Sequence, residues 1–201
     1  MPRISAATVA DHRANRHAAL LEAAREILAA EGVHALTPAA VGARIGLARS
    51  SVYRYFASTA DILAQLVEDA FPRWAARLRT AIAPDAGADG SLPGRIRAYG
   101  RAALDFVGSP DYALIPALQA TGMPGECRVR VNELHGELIA PLADALRETG
   151  ADHPALRAEL AWGVLRAGAR RLMPDARGYE SPADADEIIE ITLDVLTRAL
   201  R

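Results

Sequence analysis

From Arg13 onward, apolar positions recur every three to four residues, the period of a helix with one buried face. Leu20, Leu21, Ala24, Ile27 and Leu28 form the first stripe, and Gly32 stops it. Thr37-Pro38 predicts a helix start, with a hydroxyl at the N-cap and proline at the first helical position. That helix is short because Gly46 follows. A second short helix, from about Ala48 to Tyr55, turns Val52 inward. Ser58 or Thr59 caps a longer one, with Ile62, Leu63, Leu66, Val67, Ala70, Trp74 and Leu78 on its inner side. Pro72 lies within that stretch and must kink or break it. Residues 83–94, rich in Pro, Gly and Asp, read as a loop. Beyond it, Ile96, Tyr99, Ala103 and Phe106 mark another helix, followed by a short segment around Pro116 and a turn from Gly122 to Gly125. Val131, Leu134, Leu138, Leu142 and Leu146 form a long stripe ended by Gly150. Pro154 opens a helix to about Met173, and the last helix runs from about Ala183 to the end.

Composition reinforces this all-α reading. Ala (44) and Leu (23) supply a third of the 201 residues, against 29 for Val, Ile and Thr together, so helix formers dominate strand formers. The single cysteine, Cys127, permits no intrachain disulfide and reads as an inert thiol. The five histidines fall at no metal-ligand spacing, and no nucleophile elbow, phosphate loop or dinucleotide fingerprint is present. The expectation is therefore no metal, no cofactor and no enzyme. With no apolar run long enough to span a bilayer and no signal-like stretch at the N-terminus, the expected location is the cytoplasm, away from membranes. All 23 basic residues are arginine, and they are unevenly spread. Residues 1–60 hold 7 arginines against 4 acids, while residues 61–201 hold 16 against 21. A basic front on an acidic remainder is the asymmetry of a nucleic-acid module joined to something else.

Residues 37–59 sharpen that reading. A helix-turn-helix needs a small residue where its two helices touch, a turn residue that tolerates positive φ, apolar anchors, and a polar outer face on the second helix. Gly42 is the small residue and Gly46 the turn. Val41, Ile45, Leu47 and Val52 are the anchors, and Arg49, Ser50, Tyr53 and Arg54 form the outer face. A plain helical hairpin would share the spacing. The run from Gly46 to Ser58, GLARSSVYRYFAS, goes further: it resembles the recognition-helix signature of the tetracycline-repressor (TetR) family. The upstream amphipathic helix, the Thr-Pro start and the downstream Asp61-Ile62-Leu63 are similar to that family too, so the resemblance covers roughly residues 16–66.

The resemblance implies an N-terminal three-helix helix-turn-helix domain followed by a larger helical domain that binds an effector and dimerises. The corresponding divisions are a flexible arm at 1–12, the DNA-binding domain at 13–58 and the effector and dimer domain at 59–201. It implies a bacterial regulator, most simply a repressor, that binds double-stranded DNA at a near-palindromic operator. Thr37 would hold a phosphate at a helix start. Arg49 and Ser50 would face base edges, Ser51, Tyr53 and Tyr55 would bond phosphates, and Arg54 would reach either. The family's lysine at the start of its fourth helix is replaced by Thr59, which weakens or removes one phosphate contact, with Arg3, Arg13 and Arg16 as candidates to compensate. Candidate lining for a small, largely apolar effector is Trp74, Tyr99, Phe106, Tyr112, Met123, His135 and Trp162. Core packing is the plainer reading for each of these seven. The homodimer is expected through the last two helices. The first offers small residues Ala161, Gly163, Ala167, Gly168 and Ala169. The last has two seams, Ile188-Thr192-Val195-Ala199 and Ile189-Leu193-Leu196-Leu200, one of which can face a partner. An effector-independent DNA-binding dimer and a helical enzyme are the alternatives.

Overall fold

The computed structural model of the protein describes residues 9–86, 90–120, 125–173 and 184–200. Among them the fold is all-α: α1 (Val9–Glu31), α2 (Pro38–Arg44), α3 (Arg49–Val52), α4 (Thr59–Ala81), α5 (Leu92–Asp105), α6 (Leu114–Ala120), α7 (Gly125–Glu148), α8 (Pro154–Leu172) and α9 (Ala185–Ala199), with two short 3₁₀ segments between α5 and α6. They cluster into two compact units, Met1–Asp69 with Ala113–Arg128, and Ala70–Tyr112 with Val129–Arg201.

In the first unit, α1 begins at Val9, before the apolar stripe starts, because its first two turns stay in water. Residues 11–16 are all exposed, so no periodicity marks them. Gly32 ends the helix at φ +79, a value that suits glycine. The cap at α2 forms as expected: the Thr37 hydroxyl accepts from the Ala40 N–H at 3.1 Å, with Pro38 at the helix start. Helix α3 is shorter than the expected span. After Val52 the chain continues in tight turns, with the Tyr55 and Phe56 N–H groups both donating to the Val52 carbonyl, at 2.8 and 3.0 Å. Phe56, Val52, Val41 and Leu36 are fully buried alongside Leu20, Ile62, Leu63 and Leu66.

Pro72 does not break α4, which runs from Thr59 to Ala81. One donor is lost, but Phe71, Ala75 and Leu78 are buried around the proline and hold the helix. In the second unit, Ser91 caps α5 by accepting from the Gly94 N–H at 3.1 Å. Leu134, Leu138, Leu142 and Leu146 of α7 are buried as the stripe requires, while Val131 is half-buried. Helices α8 and α9 pack tightly where Gly168 meets Thr192: a Cβ at 168 would lie 2.4 Å from the Thr192 hydroxyl.

Candidate functional site

Gly42 brings α2 against α3. A Cβ there would fall 2.2 Å from a Val52 methyl and 3.3 Å from the Leu47 carbonyl, so only glycine fits without movement. Gly46 turns the chain at φ +70. Val41 and Val52 are completely buried, and Ile45 and Leu47 are half-buried. This anchoring leaves Arg49, Ser50, Tyr53 and Arg54 exposed, with Ser51 and Tyr55 half-buried and Thr37 exposed at the α2 start. The Arg49 guanidinium stands over the Tyr53 ring, 5.6 Å from its centroid, and donates to the Tyr53 hydroxyl at 3.3 Å. The arginine is thereby held at the surface by a cation–π contact rather than by a carboxylate.

A polar network that the sequence pattern does not reveal fixes this surface from behind. Gln65 donates to the Tyr55 carbonyl at 3.1 Å and to Asp61 at 2.9 Å, and its amide oxygen pairs with His17 Nε2 at 2.6 Å. Asp61 accepts from the Ala57 N–H at 2.8 Å, and the His17 ring stacks on Tyr55 with centroids 6.1 Å apart. Three chain segments are thus tied to the end of the recognition turn. No motif spacing signals this, because its members are 48 residues apart. Thr59 donates its hydroxyl to the Leu36 carbonyl at 2.6 Å, so its one donor is committed inside the unit and not free for a phosphate. Of the candidate compensating arginines, Arg13 and Arg16 are exposed on α1 rather than on a loose arm, and Arg3 lies outside the described residues.

The candidate effector residues fall into two trios in the second unit. Phe106 packs edge-on against Trp74 (4.7 Å) and against Tyr112 (5.8 Å). Trp162 meets His135 edge-on at 5.5 Å and Tyr99 at 6.4 Å. Among the described residues no ring contact joins one trio to the other, and Met123 lies outside them. Asp111, almost buried, accepts from Trp74 Nε1 at 3.4 Å and from Arg73 at 3.2 Å, while Arg77 covers the Trp74 ring at 5.1 Å. The Tyr99 hydroxyl donates to the Leu138 carbonyl at 2.8 Å, and burial raises its pKa strongly. Burial also raises Tyr112, with Arg170 opposing, and lowers His135, with Arg166 adding to the effect. Helix α8 thus supplies Trp162 to one trio, while the charge of Arg170 acts on Tyr112 of the other. A half-open groove of about 360 Å³ lies elsewhere in this unit, between Leu92, Ile96, Asp152, Arg157 and Leu200, and touches none of the candidate residues.

The expected partner-facing surfaces need correcting in detail. Leu193 and Leu196 are fully buried and Leu200 nearly so, but Ile188 and Thr192 from the other seam are buried as well. The two seams lie only about 100° apart around the helix, so one wide core face takes residues from both. The large apolar residues left outside are Ile191 and Val195 on α9 and Leu156 and Leu160 on α8, and Ala199 of the first seam is exposed too. Likewise, Ala161 and Gly168 face the unit's own core, whereas Gly163 has open space at its α-carbon and Ala167 is exposed. Among the described residues, no helix is long and apolar enough to cross a membrane.

A family profile described as "Bacterial regulatory proteins, tetR family" matches residues 20–66, the segment holding the glycine turn and the recognition surface. No curated protein matches the chain. Solved structures do. The regulatory protein SCO4313 is 27% identical, with 98% of each chain covered and a TM-score of 0.66. FadR from Bacillus subtilis in complex with stearoyl-CoA is 18% identical, covering 92% of this chain and 97% of that one at a TM-score of 0.68. A TetR/AcrR-family transcriptional regulator from Thermobifida fusca is 19% identical, covering 93% and 99% at 0.68. Residues 20–66 thus match the tetR family of bacterial regulatory proteins, and the fold along nearly the whole chain is shared with these solved structures.

Proposed function

We propose that the protein is a dimeric repressor that binds a near-palindromic operator and releases it when a small, largely apolar effector enters the second unit. The observation that carries the reading is the recognition surface: a glycine-enforced helix crossing presents Arg49, Ser50, Tyr53 and Arg54 together to solvent. Arginine at such a position pairs bidentately with guanine, while the tyrosine and serine hydroxyls and the α2 start suit phosphates. Effector control draws support from the stearoyl-CoA complex of the Bacillus subtilis FadR, whose fold this chain shares. The dimer is assigned to α8 and α9, whose exposed Leu156, Leu160, Ile191 and Val195 are the large apolar residues that a second copy would cover. The module is placed at residues 13–58 and the regulatory part at 59–201. The protein carries out no chemistry on its effector.

Two recognition helices per dimer require half-sites one helical turn apart, roughly 34–36 Å. Fluorescence anisotropy on a selected operator tests the reading. Arg49→Ala should cost about 1–3 kcal/mol and relax the preference at one base pair per half-site. Equal weakening on operator and random DNA would remove the base-reading role from Arg49.

A further inference from the structure

Among the described residues, one buried side-chain polar atom has no hydrogen-bond partner: the indole Nε1 of Trp162. Its neighbours in the same unit are satisfied. Tyr99 donates to Leu138, Arg95 Nε to the Ile82 carbonyl at 2.8 Å, Trp74 to Asp111, and Thr192 to the Ile188 carbonyl at 2.7 Å. A buried donor left alone is destabilising, and native chains rarely tolerate one without a reason. Indole can only donate, so what it lacks is an acceptor.

The surroundings narrow what that acceptor belongs to. His135 lies edge-on to the indole, and burial together with the nearby Arg166 lowers its pKa, which disfavours a positive charge there. One and two helical turns beyond Trp162, about 6 and 12 Å along the axis, come Arg166 and Arg170. Their charges are felt at His135 and at Tyr112 respectively. Other arginines of this unit are held by carboxylates: Arg73 by Asp111, Arg77 by Asp105, Arg95 by Glu148, and Arg97 and Arg101 both by Glu190. Arg166 and Arg170 are exposed and make no ion pair with a described carboxylate. We propose that this face of α8 takes an amphipathic anion, with its apolar part among Tyr99, His135 and Trp162, an acceptor oxygen on Trp162 Nε1, and a carboxylate or phosphate on Arg166 and Arg170. The assignment rests on the effector-controlled reading and adds the charge and polarity of the ligand to it.

The test is calorimetric titration of the full-length protein with four ten-carbon probes below their aggregation limits: decanoate, decyl phosphate, decanol and decylamine. One or both anions should bind at least about tenfold more tightly than the alcohol and the amine, and lose affinity as salt rises. A preference between the two anions separates a carboxylate ligand from a phosphate ligand. Trp162→Phe keeps the ring and removes the donor, and should weaken the preferred anion about tenfold. Arg166→Ala and Arg170→Ala should do the same. Both side chains are exposed, so these variants carry the test even if the Trp162 change disturbs folding. Equal binding of decanol and the anions, or unchanged affinity in the arginine variants, overturns the proposal. Operator anisotropy with the same probes separates the two levels. Release by decanol alone leaves effector control standing and removes the anion site, whereas operator binding unmoved by any saturating probe counts against both.

Discussion

Among the described residues of the unit built around 1–69, no buried side-chain polar atom lacks a hydrogen-bond partner. His17, Gln65 and Asp61 close a chain of hydrogen bonds onto the backbone of Tyr55 and Ala57. The unit spanning 70–112 and 129–201 is different. It buries Asp111 between an arginine and an indole, carries two aromatic trios, and leaves Trp162 Nε1 without an acceptor. One unit keeps its chemistry outside on a closed scaffold, and the other keeps polar chemistry within. A surface that reads DNA needs rigid placement of a few exposed side chains, which full internal pairing supplies. An interior that admits ligands needs polar groups not already consumed by the fold.

The largest expected effect separates the two faces of α9. Leu196→Glu places a carboxylate at a completely buried position and should cost about 3–5 kcal/mol, leaving unfolded chain. Ile191→Glu with Val195→Glu places charge at exposed positions, so the fold should persist and sedimentation should show monomers. A folded dimer in the double variant would put the interface elsewhere. Next comes the closed scaffold itself. Gly42→Ala drives a methyl into Val52 and should cost about 1–3 kcal/mol in thermal unfolding and weaken DNA binding with it. Adding Val52→Ala removes the atom that is struck, so the double variant should lose less than the sum of the singles. Strict additivity would show that the clash is relieved by other means.

Thr37→Ala removes the α2 cap and should cost about 1 kcal/mol, measurable by chemical denaturation. The smallest effect belongs to the second unit and is a pH dependence. Its burial lowers the His135 pKa from 6.5 in the folded state, so the unfolded chain takes up a proton more readily. The contribution is complete above about pH 6.5 and declines as pH falls below it. Thermal melts of wild type should therefore lose stability below that pH faster than those of His135→Gln. Parallel curves would show that the imidazole remains solvated.

Much of the first unit was legible because its determinants are local. The Thr37-Pro38 start, the Gly46 turn and the close approach at Gly42 depend on residues within about ten positions of one another, and each has one conformational meaning. The outer face of the recognition helix followed from the anchors. The network behind it did not, since pairing His17 with Gln65 requires α1 and α4 to be already packed. Nor did the fate of Thr59, whose hydroxyl turns inward to Leu36.

In the second unit, helical periodicity determined which segments are helices but not how wide each buried face is. Ile188 and Val195 occupy one seam on paper, yet one is buried and the other exposed, because the rotation of α9 is set by its packing on α5 and α8. The same holds for the aromatic residues: composition supplied them, while only the packed helices divided them into two trios and left one indole nitrogen unpaired. The sequence by itself determined the all-α class, the helix starts and turns, and which residues of α3 and the turn after it are exposed, through conformational preferences acting over a few residues. Tertiary structure alone decided which face of each helix is core and which polar groups remain free. Those outcomes depend on distances between residues far apart in the chain, and no local preference encodes them.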